Sequence, residues 1–141
     1  MRTVPKLSLE DANNIVSACI DKAVEIGVDM DIAVTDDGGH LIAFQRMDGA
    51  RIASITISID KAFTASASRK PTREYGQTAQ PGQPAYGINT SSQGRFSLIA
   101  GGLPLFAKEF IVGGIGCSSG HPDQDEAVAQ AGVDRFIEII A

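Results

Sequence analysis

The sequence predicts an α/β domain of the α+β type, a central antiparallel sheet of two hairpins with helices packed on it. Three observations carry this. Helical and strand periodicities alternate in the order helix, hairpin, helix, loop, hairpin, helix. The turn of the first hairpin is "DDGG", whose residues accept the positive φ of tight turns. Strands joined by hairpins run antiparallel, and such a sheet needs helices to cover its apolar side. At 141 residues the chain fits one domain, residues 1–141.

The elements follow in order. Ser8 is an N-cap, with Glu10 and Asp11 in the first turn of a helix. Its apolar stripe runs through Leu9, Ala12, Val16, Cys19, Ile20 and Ala23, and Gly27 stops it. Ile32 and Val34 alternate in a strand, and the return strand is Leu41 to Arg46. The next stretch, "ITISIDKAFTASAS", fits either period. Its alanine-rich half and its length favour a helix, with Ile52, Ile55, Ile59, Ala62 and Phe63 as the apolar face and an end before Pro71. A loop with three prolines and four glycines follows, long enough to be a functional or covering element, with a helical turn within Thr72 to Thr78. The second hairpin is expected from a strand at Leu98 to Ala100, a turn containing Gly102 and Pro104, and a strand from Phe110 to Ile115. Pro122 opens the last helix, with Asp125 and Glu126 at its positive end.

Composition limits function. With 43% hydrophobic and 21% charged residues the chain is globular rather than disordered. The net charge of −5 and the lack of any long basic run argue against a nucleic-acid partner. Acids interrupt every candidate membrane span, no leader pattern opens the chain, and two cysteines make no disulfide framework. The expectation is a cytoplasmic protein with no membrane partner.

The stretch "IVGGIGCSSGHPDQDEAV" concentrates the candidate chemistry. Its glycines miss a dinucleotide fingerprint, because Ser119 stands where the third glycine belongs, and His121 replaces the lysine of a P-loop. An anion cradle at a helix start remains, with hydroxyls from Ser118 and Ser119. A glycine-rich strand allowing close backbone approach explains it equally well. Cys117 reads better as a small strand-ending residue than as a nucleophile. "HPDQDE" could hold a metal, but two histidines in the whole chain leave little for one, and no metal site is expected. Asp36 and Asp37 read as turn residues. Lys61 either snorkels to solvent or pairs with a ligand acid; Arg46 and Arg51 flank the second strand and helix.

Taken together, "IAVTDDGGHLIAFQRMDGA", "SIDKAFTA", "GGLPLF" and "VGGIGCSSGHPDQDEAVAQAG" resemble the GlcG/HbpS family, which includes the C-terminal domain of PduO-type proteins. The resemblance runs over nearly the whole chain. It implies a profilin-like or PAS/GAF-like domain and a homo-oligomer, a dimer or larger even assembly. Some members bind haem and iron; others sit in operons for glycolate, diol or aromatic breakdown. Gly116, Ser118, Gly120 and Asp125 match the family's strand-to-helix signature. Asp36, Gly39, Arg46 and Asp48 match its hairpin, and Lys61 with Ala62 its second helix. Haem ligation in some members is attributed to the first helix, which carries no histidine here; Ser17 and Cys19 are the nearest candidates.

The expected function is binding of a small molecule, haem or a small organic metabolite, linked to a catabolic pathway. The expected ligand-binding residues are Arg46, Lys61, Gly116, Cys117, Ser118, Gly120, His121 and Asp125. One alternative is an enzyme acting on a small organic acid or aromatic intermediate, with His121 or Asp125 as acid–base group and Lys61 or Arg46 as anion anchor. Another is a structural partner of an operon enzyme.

Overall fold

The computed structural model describes all 141 residues. Ser8 starts α1 (Leu9–Ile26): its hydroxyl accepts from Asp11 N–H, the Asp11 carboxylate accepts from Ser8 N–H, and Gly27 ends the helix at φ 73°. Strands β1 (Asp31–Asp36) and β2 (Leu41–Arg46) form the first hairpin. Asp36 holds its turn, with Oδ1 accepting from Gly38 and His40 N–H at 2.9 Å. Helices α2 (Ser54–Ser68) and α3 (Thr72–Thr78) follow, then β3 (Gly102–Ala107), β4 (Phe110–Ser118) and α4 (Pro122–Ile140).

The four strands lie in the order β2-β1-β4-β3, every neighbouring pair antiparallel. The two hairpins therefore join through β1 and β4, which have partners on both sides. On one face α1 and α4 bury Ile15, Val16, Val128 and Phe136 against Ile32, Val34 and Ile115. Each such side chain contributes about 1.5–3 kcal/mol. No helix is long and apolar enough to cross a membrane.

The other face is built differently from the sequence expectation. The side of α2 that lies on the sheet is Ser54, Ser58, Lys61, Ala62 and Ala65, not the isoleucine stripe. Ile52 precedes the helix and is 76% exposed, while Ile55, Ile59 and Phe63 are half-buried. The reason is steric. Under α2 the sheet presents Gly102, Gly114 and Gly116, so the helix comes down onto bare backbone, and only small side chains or a threaded lysine fit between. A Cβ on Gly116 would collide with the Ser58 carbonyl and lie 2.5 Å from Ala62 N.

The second hairpin is also displaced from its expected place. Leu98 to Ala100 is not a strand, and Gly102 and Pro104, expected in a turn, lie within β3. Proline is tolerated because β3 is an edge strand. The turn falls instead at Lys108 and Glu109, and β4 continues past Ile115 to Ser118. The long loop is tied to α2 and α3. Arg95 pairs with Asp60 and lies 4.0 Å over the Phe63 ring, and Thr72 Oγ1 donates to Ile99 carbonyl at 2.6 Å. Those ties deliver Ile99 to the end of the sheet where β4 meets α4.

Candidate functional site

Helices α2 and α4 both begin at the rim of one cleft of about 240 Å³, with Ser54 and Pro122 among its walls. Their positive ends thus converge there. The end of β4 and the turn after it supply Ser118, Ser119 and Gly120, and Arg51 and Ile99 flank the opening. The turn is under strain, since Ser119 has φ 113°, a costly conformation for a residue other than glycine. Two contacts hold it: Ser119 Oγ accepts from Arg51 N–H at 2.9 Å, and Asp125 Oδ1 accepts from Gly120 N–H at 2.9 Å.

Lys61 and Asp125 stand at the back of the cleft, 64 residues apart in sequence and 2.9 Å apart in space. Both are almost fully buried, Lys61 1% and Asp125 3% exposed. Lys61 Nζ also donates to the Cys117 carbonyl at 2.9 Å. Burial raises the Asp125 carboxyl above its ordinary value, opposed by the Lys61 charge and hydrogen bond, the Gly120 N–H and the Arg51 charge. Gly101, at φ 126°, makes this packing possible: a Cβ there would lie 2.8 Å from both Lys61 Nζ and Asp125 Cβ. Lys61 therefore neither snorkels to solvent nor waits for a ligand acid; Asp125 is its partner.

Of the expected site residues, Lys61, Ser118, Gly120 and Asp125 meet at this cleft. The others do not line it. Gly116 lies under α2, where its missing side chain lets helix and sheet touch. The Cys117 thiol points into the core beneath α1 and α4; only its backbone carbonyl reaches Lys61. Burial, with Cys19 beside it, pushes that thiol well up and makes it no nucleophile. No Cα of α1 comes within 8 Å of one in β4, so Cys19 and Cys117 are too far apart to bridge. Arg46 is exposed on edge strand β2, opposite Asp31. His121 is exposed as the N-cap of α4, its N–H donating to Gln124 Oε1 at 2.9 Å.

The acids of "HPDQDE" are taken by cations of the protein. Asp123 and Glu126 clamp Arg73 of α3, and Asp125 holds Lys61. Sequence reasoning missed the cleft's Ser54, Ile57 and Ile99, and it left Arg51 out of the expected ligand-binding residues. Their only local signal was the absence of a capping side chain or first-turn acid at the start of α2. A second cleft, of about 300 Å³ at the other end of the sheet, balances Arg2 and Arg69 against Asp37 and Glu109 and has no buried charge behind it.

Chemically, the first cleft offers serine hydroxyls, two helix starts, two cations and one anion. Its fixed charges leave one positive charge in surplus, which suits a small monoanion. It does not suit haem. None of its lining residues is a histidine, methionine, cysteine or tyrosine. Helix α1 has none of these either except Cys19, which is 0% exposed.

Comparison with known proteins places this geometry in context. A family model described as "Haem degrading protein HbpS-like" matches residues 7–134. An uncharacterised 15.0 kDa protein from the dhaT-dhaS intergenic region of Citrobacter freundii is 35% identical over 136 residues, covering 96% of each chain. The crystal structure of Klebsiella pneumoniae protein ORFY superimposes with a TM-score of 0.94 at 36% identity, covering 97% of this chain and 94% of that one. The structure of a PduOC–haem complex superimposes with a TM-score of 0.89 at 29% identity, covering 93% and 95%.

Proposed function

The chain belongs to the HbpS-like family, and on that basis we propose that it is a small-molecule-binding protein whose ligand is a small organic monoanion, a carboxylate metabolite, held in the cleft between α2 and α4. The observation that carries this reading is the buried Lys61–Asp125 pair behind a serine-lined opening with Arg51 at its edge. Arg51 and the two helix starts attract the anion, and Ser54, Ser118 and Ser119 supply hydroxyl donors. Lys61 shapes the floor, and its positive charge balances the Asp125 carboxylate, so that the acid does not repel the ligand.

A relative is seen with haem, yet the residues of this cleft and of α1 favour a different ligand. Two titrations test the reading. Acetate should shift the backbone amide resonances of Ser118, Ser119 and Gly120 saturably, and haemin should give no stoichiometric Soret shift. No acetate response at those amides, or a sharp one-to-one Soret shift, counts against it.

The protein is further read as a homo-oligomer. The glycine-rich hairpin is not the motive, since its glycines serve α2. What supports oligomerisation is the apolar surface left over: Ile52 at 76%, Ile137 at 55% and Ile140 at 47% exposure, with the half-buried stripe of α2 beside Ile52. Light scattering at micromolar concentration should give at least a dimer; a monomeric mass across dilution removes the proposal.

A further inference from the structure

Asp31 is the only buried side chain whose polar atoms lack a partner, and both of its carboxyl oxygens do. A carboxylate in that position costs stability, because it has given up water and gained no hydrogen bond, only the charge of Arg46 opposite it. Such a violation of polar pairing concentrates at functional sites. Asp31 opens β1, where its register partners are Arg46 on β2 and Ser118 on β4. Residues directly opposite in an antiparallel pair share a face, with Cβ atoms about 4.5–5.5 Å apart. Thr35, on the same face of β1, bonds the Ala62 carbonyl of α2, so this is the α2 side of the sheet. Ser118 lines the cleft and Asp31 is 0% exposed, so the carboxyl stands directly behind the serine. The Ser118 hydroxyl makes no side-chain hydrogen bond of its own, unlike Ser119.

Building on the anion-binding reading, we propose that Asp31 is a positioning residue that sets the direction of the Ser118 hydroxyl and thereby the anion affinity of the cleft. No hydrogen bond joins the two side chains in the structure; a side-chain rotation across this directly opposite pair closes one. When Asp31 carries a proton, it then donates to Ser118 Oγ, and the serine hydrogen is free to point at the bound anion. When Asp31 is ionised, it takes the serine hydrogen for itself and places a negative charge behind the wall. The cleft then loses a donor and gains a repulsion.

The surroundings allow this titration. Burial raises the Asp31 carboxyl above its ordinary 3.8, and the Arg46 charge opposes the rise. Among the other charged groups of the elements around it, Asp48 and Arg51 lie in the segment leading to α2. Lys61 and Asp60 belong to α2 itself, and Lys61 is already paired with Asp125 of α4. Asp29, just before β1, is occupied by the Gly49 N–H. At the Asp31 end, β4 offers only Ser118 and the core thiol of Cys117, and the charges of α1 lie across the sheet.

The sign follows. A carboxyl raised by folding is protonated at the acid end of the range, so anion affinity is highest there and falls as pH rises through the Asp31 titration. Loss of one charge-assisted donor corresponds to about a tenfold change or more. The test is an acetate titration of the full chain at several pH values, with affinities referred to the acetate anion and read at the Ser118 to Gly120 amides. The Asp31 carboxyl 13C shift is followed in parallel. In the wild type, affinity should fall about tenfold or more with the midpoint of the Asp31 shift, and Asp31→Asn should bind acetate with a flat profile. In the absence of ligand, Asp31→Asn should gain stability over the wild type as pH rises. An affinity that ignores the Asp31 midpoint overturns the proposal, as does a pH slope that survives in Asp31→Asn. The wild-type measurements decide even if the variant does not fold. Absence of acetate binding at every pH would instead remove the anion-binding reading, and this inference with it.

Discussion

Gly116→Val should cost on the order of 3 kcal/mol or more, at the upper end of the range for overpacking. For a domain of this size that lowers the melting temperature by roughly 10 °C. The added side chain has nowhere to go: it meets the Ser58 carbonyl and the Ala62 N of α2, which are backbone and cannot rotate aside. Relief requires lifting α2, and α2 carries Ser54 and Lys61 of the cleft. Ligand binding should therefore fail together with stability. Had Gly116 lined the cleft, as its place in the glycine-rich motif suggests, valine would remove binding and leave the melt unchanged. A thermal melt followed by circular dichroism separates the two, and a transition within about 2 °C of wild type would refute the packing account.

Lys61→Met should be the more damaging change. It leaves the Asp125 carboxylate, 3% exposed, with the Gly120 N–H and the more distant Arg51 charge but no ion-pair partner. Removing one partner of a buried pair typically costs about 3–5 kcal/mol. The loss should depend on pH. Burial already holds the Asp125 carboxyl above its ordinary 3.8, against the pull of Lys61. Without Lys61 the carboxyl rises further. A carboxyl raised on folding favours the folded state most below its unfolded value, and that advantage disappears as pH rises through its folded value. Lys61→Met should thus be least impaired in acid and most impaired at neutral pH and above. Urea denaturation at pH 5 and pH 8 measures the difference, and adding Asp125→Asn should recover part of the stability at pH 8. A variant within 1 kcal/mol of wild type at both pH values would show that the pair holds nothing together.

The α1 cap, the first hairpin, the positions of α2 and α3, and the start of α4 were legible in the chain. The cap, the hairpin turn and the start of α4 are set by contacts within a few residues: Ser8 with Asp11, Asp36 with Gly38 and His40, Pro122 at a helix start. The motif from Gly113 to Asp125 also marked where β4 runs into α4, because a strand that ends at a helix start brings its backbone donors to one spot. Which of its residues line the cleft was not legible. Strand alternation turns Cys117 into the core and Ser118 toward the cleft, and that phase depends on which face α2 covers.

The face of α2 is itself a property of the partner surface. Hydrophobic periodicity points to Ile52, Ile55 and Ile59, but the glycines beneath demand small residues, and the serines and alanines win. The pairing of Lys61 with Asp125, the choice of Arg51 over Arg46 and the stranding of Asp31 behind Ser118 all follow from that docking. Local signals repeat wherever the same few residues recur, so they can be read from the chain. The cleft joins residues as far apart as Arg51 and Asp125, and steric fit between α2 and the sheet brings them together.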